Sequence, residues 1–161
     1  MKLIRPYRGA GVLFYHRNAA GQLEVLMARR RNGGWWSIPG GEMEPRDGRN
    51  HWETGKREAV EEFGEEGKAF FPPAGRVPKI GFTLPGFLWY TYLVPIQQKP
   101  DAHAFPDKYA RDYHEFTEHR WFNLATDPRP KRLYGLMYPS LLRLDLWAAL
   151  KWFFHHRLPE G

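Results

Sequence analysis

Glu58, Glu61 and Glu62 stand at i, i+3 and i+4 within Arg57-Glu58-Ala59-Val60-Glu61-Glu62-Phe63-Gly64, and this spacing restricts the chain more than any other feature. In a helix these positions share one face, so three carboxylates emerge about one turn apart. Like charges at this spacing repel by about 0.2–0.5 kcal/mol per pair. Carboxylates near a helix C-terminus also meet the negative end of the helix dipole, at about 0.3–1 kcal/mol each. A hard divalent cation reverses both penalties, because it prefers oxygen ligands. On spacing alone the pattern equally suits an over-acidic, solvated helix.

The surrounding pattern predicts where that helix sits. Short apolar runs at Gly11–Tyr15 and Leu23–Ala28 read as strands joined through the turn residues Asn18–Gly21. Asn32-Gly33-Gly34 breaks the chain before a short strand at Trp35–Ile38, and Pro39-Gly40-Gly41 is expected to break it again. A loop through Asn50 feeds a helix from about His51 to Phe63, stopped by Gly64. Further strands are predicted near Lys79–Thr83, Phe87–Pro95 and His119–Asn123, with loops at Gln97–Asp112 and Asp127–Lys131. Pro139-Ser140 opens a last helix, Leu141–His156. Strict βαβ alternation is missing, which favours an α/β fold with a mixed sheet and helices packed on it. With 161 residues and no internal linker, the chain is expected to be one domain, 1–161.

Charge narrows the function. The net charge of +6 invites a nucleic-acid reading, but the charge is segregated. Residues 1–36 carry seven basic side chains against Glu24 alone, whereas residues 41–66 carry nine carboxylates against four basic groups. An acidic block repels phosphates unless a cation sits on it, while arginines beside it suit a phosphate chain. The absence of cysteine excludes a disulfide scaffold, a thiolate zinc site and a cysteine nucleophile. The N-terminal segment has no long apolar run before a cleavage site, and the most apolar window, Leu141–Phe154, is too short to span a bilayer. The expectation is a soluble cytoplasmic protein without a membrane partner.

Trp35-Trp36-Ser37-Ile38-Pro39-Gly40-Gly41-Glu42-Met43-Glu44-Pro45 places a strand, a tight glycine turn and an acidic loop before the carboxylate helix. Together with Arg57–Gly64 it resembles the Nudix box. The resemblance extends to the strand opening with Gly11-Val12-Leu13 and to Glu115-Phe116-Thr117-Glu118-His119-Arg120-Trp121. Two departures stand out. Asp47 occupies the place of the first box glutamate, and the loop Arg46–Asn50 is two residues longer than the family pattern. The aliphatic position after Gly64 is Glu65.

The resemblance to Nudix hydrolases implies an α/β/α sandwich with a mixed sheet and cleavage of a nucleotide-linked pyrophosphate by water. It implies that Glu58, Glu61 and Glu62 ligate Mg²⁺ or Mn²⁺, with a backbone carbonyl at Gly40 or Gly41 contributing. Arg57 would then fix the metal-binding helix to the preceding loop, with Asp47 or Glu44 as its partner. The general base is open between Glu61 and Glu115, the latter also a potential metal ligand, with Glu118 a third choice. Tyr7-Arg8 and the Glu115 segment resemble parts of RNA 5′-pyrophosphohydrolases.

Arg5, Arg8, Arg29 and Arg30 are candidates for gripping phosphate, because guanidinium groups offer several N–H donors. Trp35, Phe82 and Tyr90 are candidates for stacking on a base. The last helix is apolar almost all round, which suits packing on the sheet and on a second copy of the chain as a homodimer. Free nucleoside triphosphates and RNA 5′ ends lead as substrates. Dinucleoside polyphosphates, ADP-ribose and a role as a non-catalytic nucleotide-binding regulator are the alternatives.

Overall fold

The computed structural model describes residues 5–73, 76–104, 115–133 and 146–157. Among the described residues, seven strands form one mixed sheet: β1 (Tyr7–Arg17), β2 (Leu23–Arg30), β3 (Trp36–Ser37), β4 (Gly40–Glu42), β5 (Lys79–Leu84), β6 (Phe87–Pro95) and β7 (Phe116–Asn123). Two helices among them flank it, α1 (His51–Phe63) and α2 (Leu146–Arg157). The path β3-β2-β1-β6-β5 is extended by β4 on β1 and β7 on β2. β1 and β6 run parallel from Tyr7 opposite Phe87 to Tyr15 opposite Pro95, and the other pairs are antiparallel.

Period-two alternation splits the core between the two faces of the sheet. Ala10, Val12, Phe14, Leu26, Ala28, Tyr92 and Val94 pack beneath Trp52, Ala59 and Phe63 of α1. Leu13, Val25, Met27 and Leu93 turn the other way, onto Trp147, Leu150 and Phe154 of α2. Burial of such side chains is worth about 1.5–3 kcal/mol each, so both helices are held mainly by their inward stripes. The α/β/α arrangement expected from the sequence is the one observed.

α1 has the predicted limits. The Asn50 side chain accepts from the Trp52 N–H at 2.9 Å as an N-cap, and Gly64 with φ 94° ends the helix. Glu65 therefore begins a separate 3₁₀ stretch, Glu65–Phe70, instead of extending the acidic face.

The chain breaks at Ile38-Pro39 between β3 and β4, as expected, but the glycines are a correction: Gly40–Glu42 is β4, antiparallel to Gly9–Gly11. Glycines permit this because they let backbones and the Trp89 ring approach closely. A Cβ on Gly9 or Gly40 would lie 2.8 or 2.9 Å from that ring. Residues 141–145 of the expected last helix, and 105–112 of the expected loop, lie outside the described residues. The described part of α2 buries one stripe on the sheet and leaves Trp152 54% exposed. Among the described residues no helix is long and apolar enough to cross a membrane.

Candidate active site

The box loop is anchored by a buried ion pair. Asp47 ends a 3₁₀ turn, Pro45–Asp47, and is 5% exposed. Arg57 donates from Nε to Asp47 Oδ1 at 2.9 Å and from Nη2 to Oδ2 at 3.0 Å, a bidentate fork. The Thr54 hydroxyl and the Glu44 backbone N–H donate to the same carboxylate, at 3.0 and 2.8 Å. Burial alone would push the Asp47 carboxyl up, but the hydrogen bonds from Arg57, Glu44 and Thr54 outweigh it and hold it at about 2. The shorter acid in the longer loop thus meets the box arginine. Gly48, at φ 61°, caps the turn that carries it there.

Arg57 also reaches the helix face. Its Nη1 lies 2.7 Å from Glu58 and 3.2 Å from Glu61, and its Nη2 donates to the Glu42 carbonyl at 2.8 Å. One guanidinium therefore ties α1 to the end of β4 and to the loop that follows.

The carboxylates sit in unequal surroundings. Glu62 is 7% exposed and accepts from the Gly40 N–H at 3.2 Å. Burial pushes its carboxyl well above the usual carboxylate value; the charge of Arg30 opposes this, while Glu115 and Glu58 add to it. Burial likewise raises Glu58, against the pull of Arg57 and with a contribution from Glu115. Glu58 packs against Gly41 so closely that a Cβ there would lie 2.5 Å from its carboxyl carbon. Glu61 instead has one oxygen on Arg46 at 2.9 Å and the other on Arg57 at 3.2 Å. Among the described residues no three acidic or histidine side chains converge into a finished metal cage.

The remaining candidates fall at separate places. Glu115 is exposed, and its backbone carbonyl accepts from the Arg31 N–H at 2.8 Å, which hangs it from the end of β2. Glu118 pairs with Arg29 at 3.9 Å, both about half exposed. Arg30 lies over the Phe116 ring at 5.2 Å, with its charge felt at Glu62. Arg5 and Arg8 line a cavity of about 580 Å³ with Glu42, Met43 and Glu44. Half-buried Tyr90 is packed edge-on by His51 at 4.9 Å and covered by the Lys79 ammonium at 4.3 Å. Trp35 lies over the Gly33 turn between β2 and β3, and Phe82 meets Phe87 edge-on.

Sequence reasoning missed Arg46 and Thr54. Arg46 bridges Glu44 at 2.6 Å and Glu61 at 2.9 Å. The only available signal was their position, in and just after the lengthened loop.

A family model of the NUDIX domain matches residues 6–139. No curated protein matches the chain. Among solved structures, the fold is similar to a Nudix hydrolase from M. smegmatis, RenU, with 16% identity and a TM-score of 0.55 over 93% of this chain and 87% of that one. It is also similar to a NUDIX hydrolase from Alicyclobacillus acidocaldarius, with 20% identity and a TM-score of 0.53 over 78% and 81% of the two chains. A C. elegans Ap4A hydrolase binary complex matches with 20% identity and a TM-score of 0.51 over 74% and 81%. The family match over most of the chain, together with the paired box arginine and its carboxylate helix, places this protein in the NUDIX domain family.

Proposed function

We propose that this Nudix pyrophosphohydrolase cleaves the pyrophosphate linkage of a nucleoside 5′-triphosphate, free or at an RNA end, with a divalent cation. The observation that carries the reading is Glu62. A buried carboxylate with a single backbone hydrogen bond and two further carboxylates acting on it is costly unless a cation arrives.

The donor set fits Mg²⁺ or Mn²⁺. Glu58, Glu62 and Glu115 offer only oxygen, and the backbone at Gly40 and Gly41 runs against the first two. Glu58, Glu62 and the Gly41 carbonyl would hold the cation, with Glu61 joining once Arg46 releases it. When bound, such a cation supplies neutralisation of phosphate oxygens and a more acidic water.

The chain's own residues do the rest. Water attacks phosphorus, the bridging P–O bond breaks toward the leaving phosphate, and the water proton passes to a carboxylate. Glu115 is the better placed base, because both Glu61 oxygens are engaged by guanidinium groups. Arg57 keeps Glu58 oriented from its anchor on Asp47. Arg8 and Arg5 lie beside the acidic loop, where a phosphate chain leaving the carboxylates would be met. Tyr90 or Trp35 would stack on the base.

The test compares Glu115→Gln with Glu61→Gln on a triphosphate substrate. Glu115→Gln should lower kcat by about 10²–10⁴-fold, the range of a general base. A loss below about threefold would transfer the role to Glu61.

A further inference from the structure

The cavity of about 580 Å³ beside the box loop has an unusual wall. Three arginines line it, Arg5 just ahead of β1, Arg8 within β1 and Arg49 from the lengthened loop. Its size is that of a small-ligand site. The Met43 N–H donates to the Arg8 carbonyl at 2.7 Å, tying the two walls together.

The charges in this wall are not balanced. Among the described residues, none of the three arginines has a carboxylate within ion-pair distance. Glu44, which lines the same cavity, is already engaged by Arg46 at 2.6 Å and Arg57 at 3.5 Å. That leaves three guanidiniums against Glu42 alone. Like charges gathered around a hollow repel, and a polyvalent anion between them removes the repulsion.

Arg49 adds an independent observation. Among the described residues it is the only non-glycine with a positive φ, 61°. A bulky side chain rarely adopts that region, and such strain persists where the surroundings or a function demand it. Asn50, next in the chain, is the N-cap of α1, so the loop must reach the helix while turning Arg49 toward the cavity. Glycine would make the same turn without strain.

We propose that Arg5, Arg8 and Arg49 form a polyphosphate subsite in which Arg49 selects substrates with three or more linked phosphates over diphosphates. The subsite borders the candidate active site through one side chain: Arg57 donates to the Glu42 carbonyl at 2.8 Å and holds Glu58 at 2.7 Å. Glu42 lines the cavity and its neighbour Gly41 packs against Glu58, so this wall adjoins the carboxylate face. The inference deepens the pyrophosphohydrolase reading and rests on it for the identity of the natural substrate.

Binding measured by calorimetry in EDTA tests it on the full chain, with inorganic tripolyphosphate and pyrophosphate as probes. Arg49→Gly should weaken tripolyphosphate by about tenfold or more and pyrophosphate by less than about threefold, as expected for the loss of one charge-assisted contact. Its Tm should be equal or higher, since glycine relieves the backbone, and Arg49→Lys should keep most of the affinity. ATP and a short triphosphorylated RNA form two further arms. A loss shared by both supports a triphosphate subsite for free nucleotides, and a loss confined to the RNA supports a subsite for an RNA end. Unchanged tripolyphosphate binding in Arg49→Gly, or equal losses for both inorganic probes, would overturn the proposal. Because the readout is binding without turnover, its failure leaves the hydrolase reading standing. Failure of turnover on every nucleotide would in turn leave this result intact.

Discussion

The Asp47–Arg57 fork concentrates several demands on one pair of side chains. It buries an acid, fixes the loop, and points the same guanidinium at Glu58. Its stability contribution has a definite pH window. Asp47 titrates at about 2 when folded and near 3.8 when free, so its contribution is full above about pH 4 and is lost as pH falls toward 2. That difference corresponds to about 2 kcal/mol. Asp47→Asn should therefore destabilise the protein at pH 7 and flatten the fall in Tm between pH 4 and 2, as followed by circular dichroism. The double variant with Arg57→Gln should lose little more than either single one, because both remove the same interaction. Strictly additive losses would show that Arg57 works without Asp47. The sequence favoured Asp47 over Glu44 as this partner, because Gly48 permits the turn that brings the shorter acid back. The Thr54 hydroxyl that also holds it was not legible, since its position comes from three-dimensional closure and not from spacing. Arg46 was illegible for a related reason, since a basic residue in a loop carries no mark of which carboxylate it will meet.

Glycines decide how β4 and α1 meet. At Gly41 an added methyl would collide with the end of a glutamate side chain, which can swing away. At Gly40 it would lie 2.8 Å from the Ala10 carbonyl oxygen and the Gly11 Cα, which cannot. Gly41→Ala should therefore fold with little loss of Tm but reduce kcat, because Glu58 is displaced. Gly40→Ala should lower stability by about 1–3 kcal/mol, the usual cost of overpacking. Equal thermal losses in the two variants, by calorimetry, would refute this distinction. At this scale the sequence spoke clearly where local rules act alone. Helix α1 has its N-cap, its apolar stripe and its glycine stop, and strand β6 has an apolar run interrupted only by Thr91. It misled at Gly40-Gly41, where punctuation residues serve close strand pairing under the Trp89 ring.

Across the whole molecule the sheet separates chemistry from a large part of the core. The carboxylate helix packs on one face and α2 on the other. Phe154, 5% exposed among Leu13, Val25 and Leu150, belongs to the second face. Phe154→Ala should cost about 3–5 kcal/mol of stability, while kcat at a temperature below unfolding stays within about twofold of the parent. A large fall in kcat with a native fold would mean that the two faces are coupled. The α/β class and the presence of a mixed sheet could be read from element order. The parallel pairing of β1 with β6 could not, because it joins segments some eighty residues apart and no local pattern records which strands become neighbours. The same closure brings the charges of Arg30 and Glu115 to bear on Glu62. Hydrolysis of a triphosphate by this assembly depends, in the reading proposed above, on a cation held on Glu62 and its neighbours. The most direct test follows phosphate or pyrophosphate release from a nucleoside triphosphate while Mg²⁺ is titrated, for the parent and for Glu62→Gln. Turnover should rise with Mg²⁺, vanish in EDTA, and fall by at least about 10²-fold in a well-folded Glu62→Gln. Equal turnover in EDTA and in Mg²⁺, or an unimpaired Glu62→Gln, would contradict it.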